Sequence, residues 1–280
     1  GQVPEYIQMA TEWCRKYARV PVIVKLTPNV TSILPPAKAA QAGGAHAVSL
    51  INTVNSIMRV DYDTLTMYPS TDRKGSHGGY CGPAVKPIAL HMVAEIARHA
   101  GGLPVSGIGG ITDWRDAVDF LALGASNVQV CTAAMVYGFK IIDDLTDGLS
   151  NFLDQKGMKS VTELVGRAVP SVTDWQHLNL NYVEKAVIDQ DLCIKCGRCH
   201  VVCEDTSHQA ITQSVNGQRR FEVIDAECVG CNLCVSVCPV DGCITMQPLT
   251  EGMDARTGRA VSSEHADWTT HPNNPMRRKL

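Results

Sequence analysis

The sequence has 280 residues, of which 45% are hydrophobic, and a formal net charge of −3. This weak acidity gives no support to nucleic-acid binding, which usually requires a basic surface. No apolar run approaches the roughly 20 residues that cross a bilayer, and the first residues lack the pattern of a signal peptide. We therefore predict a cytoplasmic protein of one large or two smaller domains that binds neither nucleic acid nor a membrane.

The first 150 residues alternate apolar, strand-like runs with segments of helical periodicity. Four strands are predicted, over residues 20–26, 47–51, 103–106 and 128–131. The first helix carries an apolar stripe made of Tyr6, Ala10, Trp13 and Tyr17. Thr112 is the predicted N-cap of a later helix. This alternation predicts a parallel sheet, in either a doubly wound or a (β/α)8 arrangement.

Polar residues or glycines stand at the end of each predicted strand. In strand order they are Lys25, then Asn52 and Thr53, then Gly107, Gly109 and Gly110, and finally Cys131 and Thr132. The carboxyl ends of parallel strands meet at one mouth of a barrel, where the last two strands commonly bind phosphate. Alone, each of these residues is typical of a turn, a cap or a solvated surface. Together they predict a cofactor site whose glycines let the backbone approach a phosphate.

A complete (β/α)8 barrel needs eight strands and about 250 residues. Only four strand–helix units precede the cysteine-rich region of this chain. Either the other half of a barrel lies upstream of Gly1, or the sheet is a smaller one of another kind. The absence of an initiating methionine favours the first alternative, so we predict the C-terminal half of a (β/α)8 barrel.

The cysteines of the C-terminal region form a repeated pattern. Nine of the 12 cysteines lie between residues 193 and 243, which indicates metal ligands rather than scattered disulfides. Eight of them form two runs spaced C-x2-C-x2-C-x3-C, typical of bacterial ferredoxins in which the fourth cysteine of each run binds the other 4Fe–4S cluster. The first predicted cluster has the ligands Cys193, Cys196, Cys199 and Cys238. The second has the ligands Cys228, Cys231, Cys234 and Cys203.

The alternative for these runs is a pair of structural zinc sites, because Cys-x2-Cys pairs also bind zinc. A zinc site would need only two such pairs, so zinc does not explain the third cysteine at the same spacing in both runs. Cys243 lies outside both runs in an apolar segment, so we interpret it as a buried structural thiol. The pattern therefore favours two iron–sulfur clusters.

Four segments, at residues 23–30, 51–54, 107–111 and 128–131, resemble the flavin-binding barrel of the dihydropyrimidine dehydrogenase family. They read IVKLTPNV, INTV, GIGGI and VQVC. Dihydroorotate dehydrogenases share part of this pattern, and the fused two-cluster ferredoxin region distinguishes the two families. The resemblance extends over nearly the whole chain, and only the polar C-terminal tail lies outside it.

The resemblance implies an FMN in the barrel mouth with a pyrimidine base beside it. The implied flavin contacts are Lys25, Gly82, Ile108, Gly109, Gly110, Cys131 and Thr132. Asn52 and Thr53 would bind the edge of the pyrimidine. The implied reaction reduces the 5,6 double bond of uracil or thymine, with electrons from a partner flavoprotein subunit that carries FAD and oxidises NADH in a hetero-oligomer.

In this family the active-site cysteine precedes the segment that matches Gly1, so the catalytic residue is unknown here, and neither Cys14 nor Cys81 takes its role. We expect the chain by itself to be inactive or to bind FMN poorly. Two alternatives stay open, a dihydroorotate-oxidising flavoenzyme with a charged pocket and an electron carrier that binds clusters but no flavin. The predicted domains are a half-barrel at 1–155, a helical connection at 156–184, an α+β two-cluster ferredoxin-like domain at 185–247 and a polar tail at 248–280.

Overall fold

The computed structural model describes residues 1–179, 181–206, 208–214, 216–261, 267–270 and 274–277. The chain divides into two compact units, Gly1–Val172 and Thr173–Leu280. One position of the predicted connection, 180, and much of the predicted polar tail, at 262–266, 271–273 and 278–280, lie outside the described residues.

The first unit alternates helices and strands. In chain order its elements are α1 (Pro4–Tyr17), β1 (Ile23–Lys25), α2 (Leu34–Ala42), β2 (Ala47–Leu50), β3 (Val54–Ser56), β4 (Arg59–Val60), β5 (Met67–Tyr68), β6 (Gly78–Tyr80), α3 (Lys86–His99), β7 (Val105–Ile108), α4 (Trp114–Ala122), β8 (Ala125–Gln129), α5 (Thr132–Tyr137) and α6 (Ile141–Gln155). Short 3₁₀ turns lie at Pro83–Val85, Val161–Glu163 and Val169–Ser171.

Four of these strands form one parallel sheet in the order β1-β2-β7-β8. A helix lies between each pair of neighbouring strands, as a parallel connection requires. Val48, Leu50 and Val105 from the sheet are buried in one hydrophobic core with Val93 of α3 and Phe120 of α4. The predicted parallel α/β architecture is confirmed.

Several local predictions differ from the structure. The first strand is shorter than predicted, at Ile23–Lys25, and the third lies two residues later, at Val105–Ile108. The fourth strand begins earlier than predicted, at Ala125, because the chain turns into it directly at Gly124, where φ is +108°. Thr112 is not the N-cap of α4. Asp113 caps this helix through a capping box with Asp116, since a carboxylate accepts from backbone N–H groups, while the Thr112 hydroxyl donates to Asp116.

The aromatic stripe of α1 is not the face that this helix buries. Tyr6, Trp13 and Tyr17 are exposed, and the buried residues of the helix are Ile7 and Thr11. The buried face packs against α2, which is the element that α1 contacts most. The helical spacing therefore predicted the helix, but tertiary packing selected the neighbouring face.

The segment from β3 to β6 gave few periodic signals. In the structure it forms two nested antiparallel pairs, β3 with β6 and, inside them, β4 with β5. After α6 the chain returns to α4, where the N–H of Gly166 donates to the carbonyl of Leu121 and that of Ala168 to Ala122. Part of the predicted connection is therefore packed on the first unit.

The second unit contains two copies of a strand–loop–helix–strand arrangement. Its elements are β9 (Glu184–Ile188), α7 (Arg198–Asp205), β10 (Ile211–Thr212), β11 (Glu222–Val223), α8 (Leu233–Val237), β12 (Ile244–Pro248), β13 (Met253–Asp254) and β14 (Arg259–Ala260). The antiparallel pairs are β9 with β12, β10 with β11 and β13 with β14. No helix among the described residues is long and apolar enough to span a membrane.

Candidate functional site

The carboxyl ends of the four parallel strands line one cavity of about 820 Å³, measured with its opening. All nine residues predicted to contact flavin or substrate line it, namely Lys25, Asn52, Thr53, Gly82, Ile108, Gly109, Gly110, Cys131 and Thr132. Parallel pairing accounts for this convergence, because it brings the ends of successive strands to the same edge. The role of each residue remains a prediction.

Three glycines of the cavity adopt backbone conformations that other residues rarely take. The angle φ is +89° at Gly82, +136° at Gly109 and +77° at Gly110. A Cβ atom on Gly110 would lie 2.8 Å from the carbonyl oxygen of Gly82 and 2.9 Å from the Cβ of Lys86. The two glycine loops therefore approach backbone to backbone, and only glycine fits at position 110.

A partly buried ion pair supports this glycine loop. Lys86 Nζ lies 2.5 Å from Asp116 Oδ1 and 3.1 Å from Asp119 Oδ2. Asp116 Oδ2 accepts hydrogen bonds from the backbone N–H and the hydroxyl of Thr112, at 2.7 and 2.8 Å. Asp116 thus connects α4 with Lys86 at the start of α3 and with Thr112, two residues after Gly110. This pair leaves no signal in the sequence, because its partners are distant along the chain.

Hydrogen bonding keeps Asp116 ionised despite its burial. Burial by itself raises the pKa of this carboxyl, but the hydrogen bonds from Lys86 and Thr112 outweigh it and hold the pKa below its ordinary value. For Lys86, the hydrogen bond to Asp116 raises the pKa. Both groups are therefore charged near neutral pH.

A polar network covers one face of the sheet beside the cavity. Gln129 Nε2 donates to the hydroxyl oxygens of Ser49, at 2.9 Å, and Ser106, at 2.7 Å. The Ser106 hydroxyl donates to Asn127 Oδ1. Ser49 pairs in register with Lys25 and with Ser106, so these side chains share one face of the sheet. The sequence did contain one signal for this network, because Ser49 and Ser106 each interrupt an otherwise apolar strand.

Asn29 organises the residues predicted to bind the pyrimidine. Its Nδ2 donates to the carbonyl of Thr53 at 3.1 Å, and its Oδ1 accepts from the N–H of Asn55 at 2.9 Å. Asn52 Oδ1 accepts from the N–H of Thr53 at 2.9 Å. Within the described part of the chain, Asn52 Nδ2 and Lys25 Nζ have no hydrogen-bond partner, which leaves both donors for a ligand.

Cys81 and Cys131 also line the cavity, whereas Cys14 lies on the exposed surface of α1. The hydroxyl of Thr132 donates to Cys81 Sγ at 3.3 Å. This contact joins the loop before α3 to the first residue of α5.

The cavity residues fit a flavin nucleotide. The glycine loops permit close approach of a phosphate group, and Lys25 supplies a positive charge near the strand ends. Lys25 is the one charged side chain among the described residues that line the cavity. The remaining polar groups are neutral amides, hydroxyls and thiols, which suit a ring system with alternating donors and acceptors.

In the second unit, two further cavities collect cysteines from both runs. The cavity of about 310 Å³, with its opening, is lined by Cys193, Cys196, Cys199 and Cys238. The cavity of about 360 Å³ is lined by Cys203, Cys228, Cys231 and Cys234. Each set contains three cysteines of one run and the fourth of the other, as in the two predicted ligand sets. All 12 cysteines are free thiols.

The two cysteine loops repeat one backbone conformation around their second cysteine. In the first run φ is +58° at Lys195 and +87° at Gly197, and in the second run it is +74° at Gly230 and +65° at Asn232. A left-handed residue on each side of the cysteine curls the loop around one point. Gly197 and Asn232 are also the N-caps of α7 and α8. The loops are therefore built to surround a compact group.

The cysteine geometry suits clusters better than single ions. Among the described residues, no three His, Cys, Asp or Glu side chains converge as closely as one metal ion requires. Cysteines around a cubane stand further apart, because several iron and sulfide atoms fill the space between them. Burial raises the pKa of the Cys199 thiol to about 11 and also raises that of Cys234. These thiols become ligands only when bound metal compensates the thiolate charge.

Cys243 is buried, as predicted, and only 2% of its surface is exposed. Its thiol donates to the carbonyl of Asp189 at 3.7 Å, and burial raises its pKa to about 12. It lines the first cysteine cavity together with the four predicted ligands. Its exclusion from the ligand set remains a prediction.

Comparison with known proteins supports both parts of the architecture. Residues 1–153 match the dihydroorotate dehydrogenase family, and residues 186–246 match a 4Fe–4S dicluster domain. The chain is 40% identical over 248 residues to the NAD-dependent dihydropyrimidine dehydrogenase subunit PreA of Escherichia coli K12. That match covers 88% of this chain and 60% of the relative.

Dihydroorotate dehydrogenases of archaea are also similar. The chain is 43% identical over 169 residues to the catalytic subunit of dihydroorotate dehydrogenase B (NAD(+)) of Pyrococcus abyssi, over 60% of this chain and 54% of that protein. The corresponding subunit of Thermococcus kodakarensis is 42% identical over the same shares. The chain thus spans between 54% and 60% of the length of these relatives.

Proposed function

Because the chain belongs to the dihydroorotate dehydrogenase family, we propose that it is the flavin- and iron–sulfur-binding part of an oxidoreductase that reduces the 5,6 double bond of uracil and thymine. A partner flavoprotein subunit, carrying FAD, would oxidise NADH and pass the electrons to the two clusters of this chain. The complete enzyme would be a hetero-oligomer.

One observation carries this proposal. Eight residues from four strand ends, together with Gly82 from the loop before α3, line a single cavity in a chain that also matches a dicluster domain. The similarity to the dihydropyrimidine dehydrogenase subunit extends over 88% of this chain and therefore includes residues of both the dehydrogenase-type region and the dicluster domain. This combination favours an enzyme whose substrate site is supplied with single electrons from clusters.

The residues of the cavity would share the work of binding. Lys25, with no partner among the described residues, would stabilise negative charge on the reduced flavin ring. The glycines at 82, 109 and 110 would hold the phosphate end. The amide of Asn52 and the hydroxyl of Thr53 would bind the edge of the pyrimidine. FMN, when bound, supplies the hydride chemistry, and the protein supplies position and charge.

A second candidate is the oxidation of dihydroorotate, which the similarity to the archaeal catalytic subunits favours. That substrate carries a carboxylate and calls for a cation of its own. Lys25 is the one charged side chain among the described lining residues, and we assign it to the flavin. The composition of the cavity therefore favours an uncharged base.

The test is an anaerobic assay of the full-length protein together with its partner subunit. We expect about eight irons and one FMN per chain, as the two clusters and one barrel require, and uracil-dependent oxidation of NADH. Asn52→Ala should raise KM for uracil at least tenfold, the loss of about one hydrogen bond to a polar ligand, while Asn151→Ala on the exposed surface of α6 should not. Eight irons without flavin would leave an electron carrier, and turnover of dihydroorotate but not uracil would favour the second candidate.

A further inference from the structure

A buried ion pair lies beside the loop that carries the second predicted cluster, the one assigned to Cys228, Cys231, Cys234 and Cys203. Lys185 in β9 and Asp254 in β13 are 9% and 3% exposed. Lys185 Nζ lies 3.0 Å from Asp254 Oδ1. An oppositely charged pair of side chains is seldom buried to this extent, because removing both from water costs free energy.

Lys185 binds the cluster loop directly. Its ammonium group donates to the carbonyl oxygens of Asp225, at 2.8 Å, and Cys228, at 2.9 Å. With Asp254 as the third acceptor, all three N–H donors of the ammonium are used. Cys228, one of these acceptors, is a predicted cluster ligand, so the ammonium group of Lys185 contacts the backbone of the cluster loop directly.

Asp254 is held rigidly as the counter-charge. Its Oδ2 accepts from the hydroxyl of Thr257 at 2.8 Å, and its Oδ1 accepts from the N–H of Arg256 at 3.2 Å. The hydrogen bonds from Thr257 and Lys185 lower its pKa to about 2, so it is ionised in neutral solution. The hairpin of β13 and β14 therefore places the negative charge of Asp254 next to Lys185, which binds the cluster loop.

The first cluster has a different environment. In the internal repeat, Val187 corresponds to Val223, so the position of Lys185 is taken there by the buried side chain of Phe221. A cation does contact the first loop, since Arg219 Nη2 donates to the carbonyl of Cys196 at 3.2 Å. Arg219 is exposed, so water and salt screen its charge. The buried charge pair is thus specific to the second cluster.

We propose that Lys185 and Asp254 set the reduction potential of the second cluster, Lys185 raising it and Asp254 lowering it. This inference rests on the cluster ligands of the proposed function. A cluster gains one negative charge when it takes up one electron. A fixed buried cation stabilises that charge and a fixed buried anion opposes it, and both act strongly where solvent screening is weak.

The experiment is a reductive titration of the full chain, followed by electron paramagnetic resonance, with dithionite as the electron donor. The variants are Asp254→Asn, Lys185→Gln and the double variant, and Glu251→Gln is the control. Glu251 is an exposed carboxylate close to Asp254 in the sequence, so its loss changes the net charge equally without touching the pair. Iron is counted in every sample before the titration.

We expect Asp254→Asn to raise the midpoint potential of one of the two cluster signals and Lys185→Gln to lower that of the same signal. Each should change its ratio of oxidised to reduced cluster at least threefold, about 28 mV for a one-electron couple. The double variant should return close to the wild-type value, and Glu251→Gln should not move it. Iron lost from the single variants but kept by the double variant would also support charge compensation.

Other outcomes overturn the proposal. Shifts of the same sign in both single variants, equal shifts of both signals, or no shift beyond the control would show that the pair does not tune the cluster. Loss of iron from all three variants would show that the pair only holds the loop. A wild-type chain without about eight irons would instead contradict the proposed cluster ligands, so the two failures are distinguishable.

Discussion

At the scale of single residues, Asp116 concentrates several supporting contacts in one carboxylate. It accepts from Lys86, from Thr112 and from the N–H of Asp113, at 3.2 Å. Its side chain is 11% exposed, whereas that of Asp119, the second partner of Lys86, is 46% exposed. Removing the charge of Asp116 would leave Lys86 with only a solvated partner.

We predict that Asp116→Asn lowers the free energy of unfolding of the first unit by about 1.5–3 kcal/mol, the usual range for a hydrogen bond to a charged group. FMN should bind more weakly, because the glycine loop loses its anchor. Urea unfolding and a flavin fluorescence titration measure the two effects. The control is Asp119→Asn, which should cost less than about 1 kcal/mol because this carboxylate is more exposed. Equal effects of both variants would contradict the prediction.

The contribution of Asp116 should depend on pH with a definite sign. Its pKa is lowered in the folded protein, so its contribution is complete above the ordinary value of 3.8 and is lost as the pH falls through the folded value. Lys86 has a raised pKa, so its contribution is complete below 10.5 and is lost only above that pH. The stability difference between wild type and Asp116→Asn should be constant from about pH 5 to 9 and shrink below about pH 3.8. A difference that changes near neutral pH would contradict this assignment.

At the scale of elements, the cavity depends on loops between strands and helices that approach one another closely. Gly110 contacts the backbone of Gly82, and Gly230 in the cluster loop approaches β9 in the same way, since its Cβ would lie 2.5 Å from the carbonyl oxygen of Glu184. In both places a loop packs against backbone, so a side chain has no space to move into.

Gly110→Ala tests this steric argument, and Gly138→Ala is its matched control. Both glycines have φ of +77°, but a Cβ on Gly138 meets no atom within 4 Å. Each alanine should cost about 1–3 kcal/mol of backbone strain, because φ is positive at both sites and Gly138 also has ψ of 176°. Only Gly110→Ala should also displace the loops and weaken FMN binding at least tenfold, about 1.4 kcal/mol. Flavin affinity and thermal unfolding distinguish clash from strain, and equal loss of affinity in both variants would show that strain alone is responsible.

At the scale of the whole molecule, the two units have cores of different chemistry. The core of the first unit is aliphatic and aromatic. Among the ten buried residues that the structure describes in the second core, five are cysteines, namely Cys199, Cys203, Cys228, Cys234 and Cys243. Four of these are predicted cluster ligands, and iron bound by them would stabilise the second unit.

We therefore predict that removing iron with a chelator under oxidising conditions unfolds the second unit and leaves the first one folded. Amide hydrogen exchange should become fast between Glu184 and Pro248 and remain slow in β2 and β7. A sample in which the chelator is added without oxidant is the control, because intact clusters should protect the same amides. Equal loss of protection in both units would contradict the prediction.

Much of this architecture was predictable from local patterns. The parallel α/β sheet was predicted from the alternation of strands and helices, the dicluster domain from the cysteine spacing, and the dehydrogenase type of the first region from its resemblance to a known family. The strand pairing and the family matches confirm these predictions. Errors fell where several local solutions compete. Thr112 and Asp113 could each cap α4, and Asp113, the stronger acceptor, does so. Helix α1 had two faces that it could bury, and packing against α2 selected the less aromatic one.

The sequence by itself determined the order of elements, the grouping of the cysteines and the set of strand ends that lines the cavity. These features depend on periodicity and on ligand spacing, which act over a few residues. Only the tertiary structure decided which polar side chains support them. Gln129 and Ser49 are 80 positions apart, and Lys185 meets Asp254 across the second unit. Contacts between distant residues leave no periodic trace, because the fold that brings them together is set by the burial of apolar surface around them.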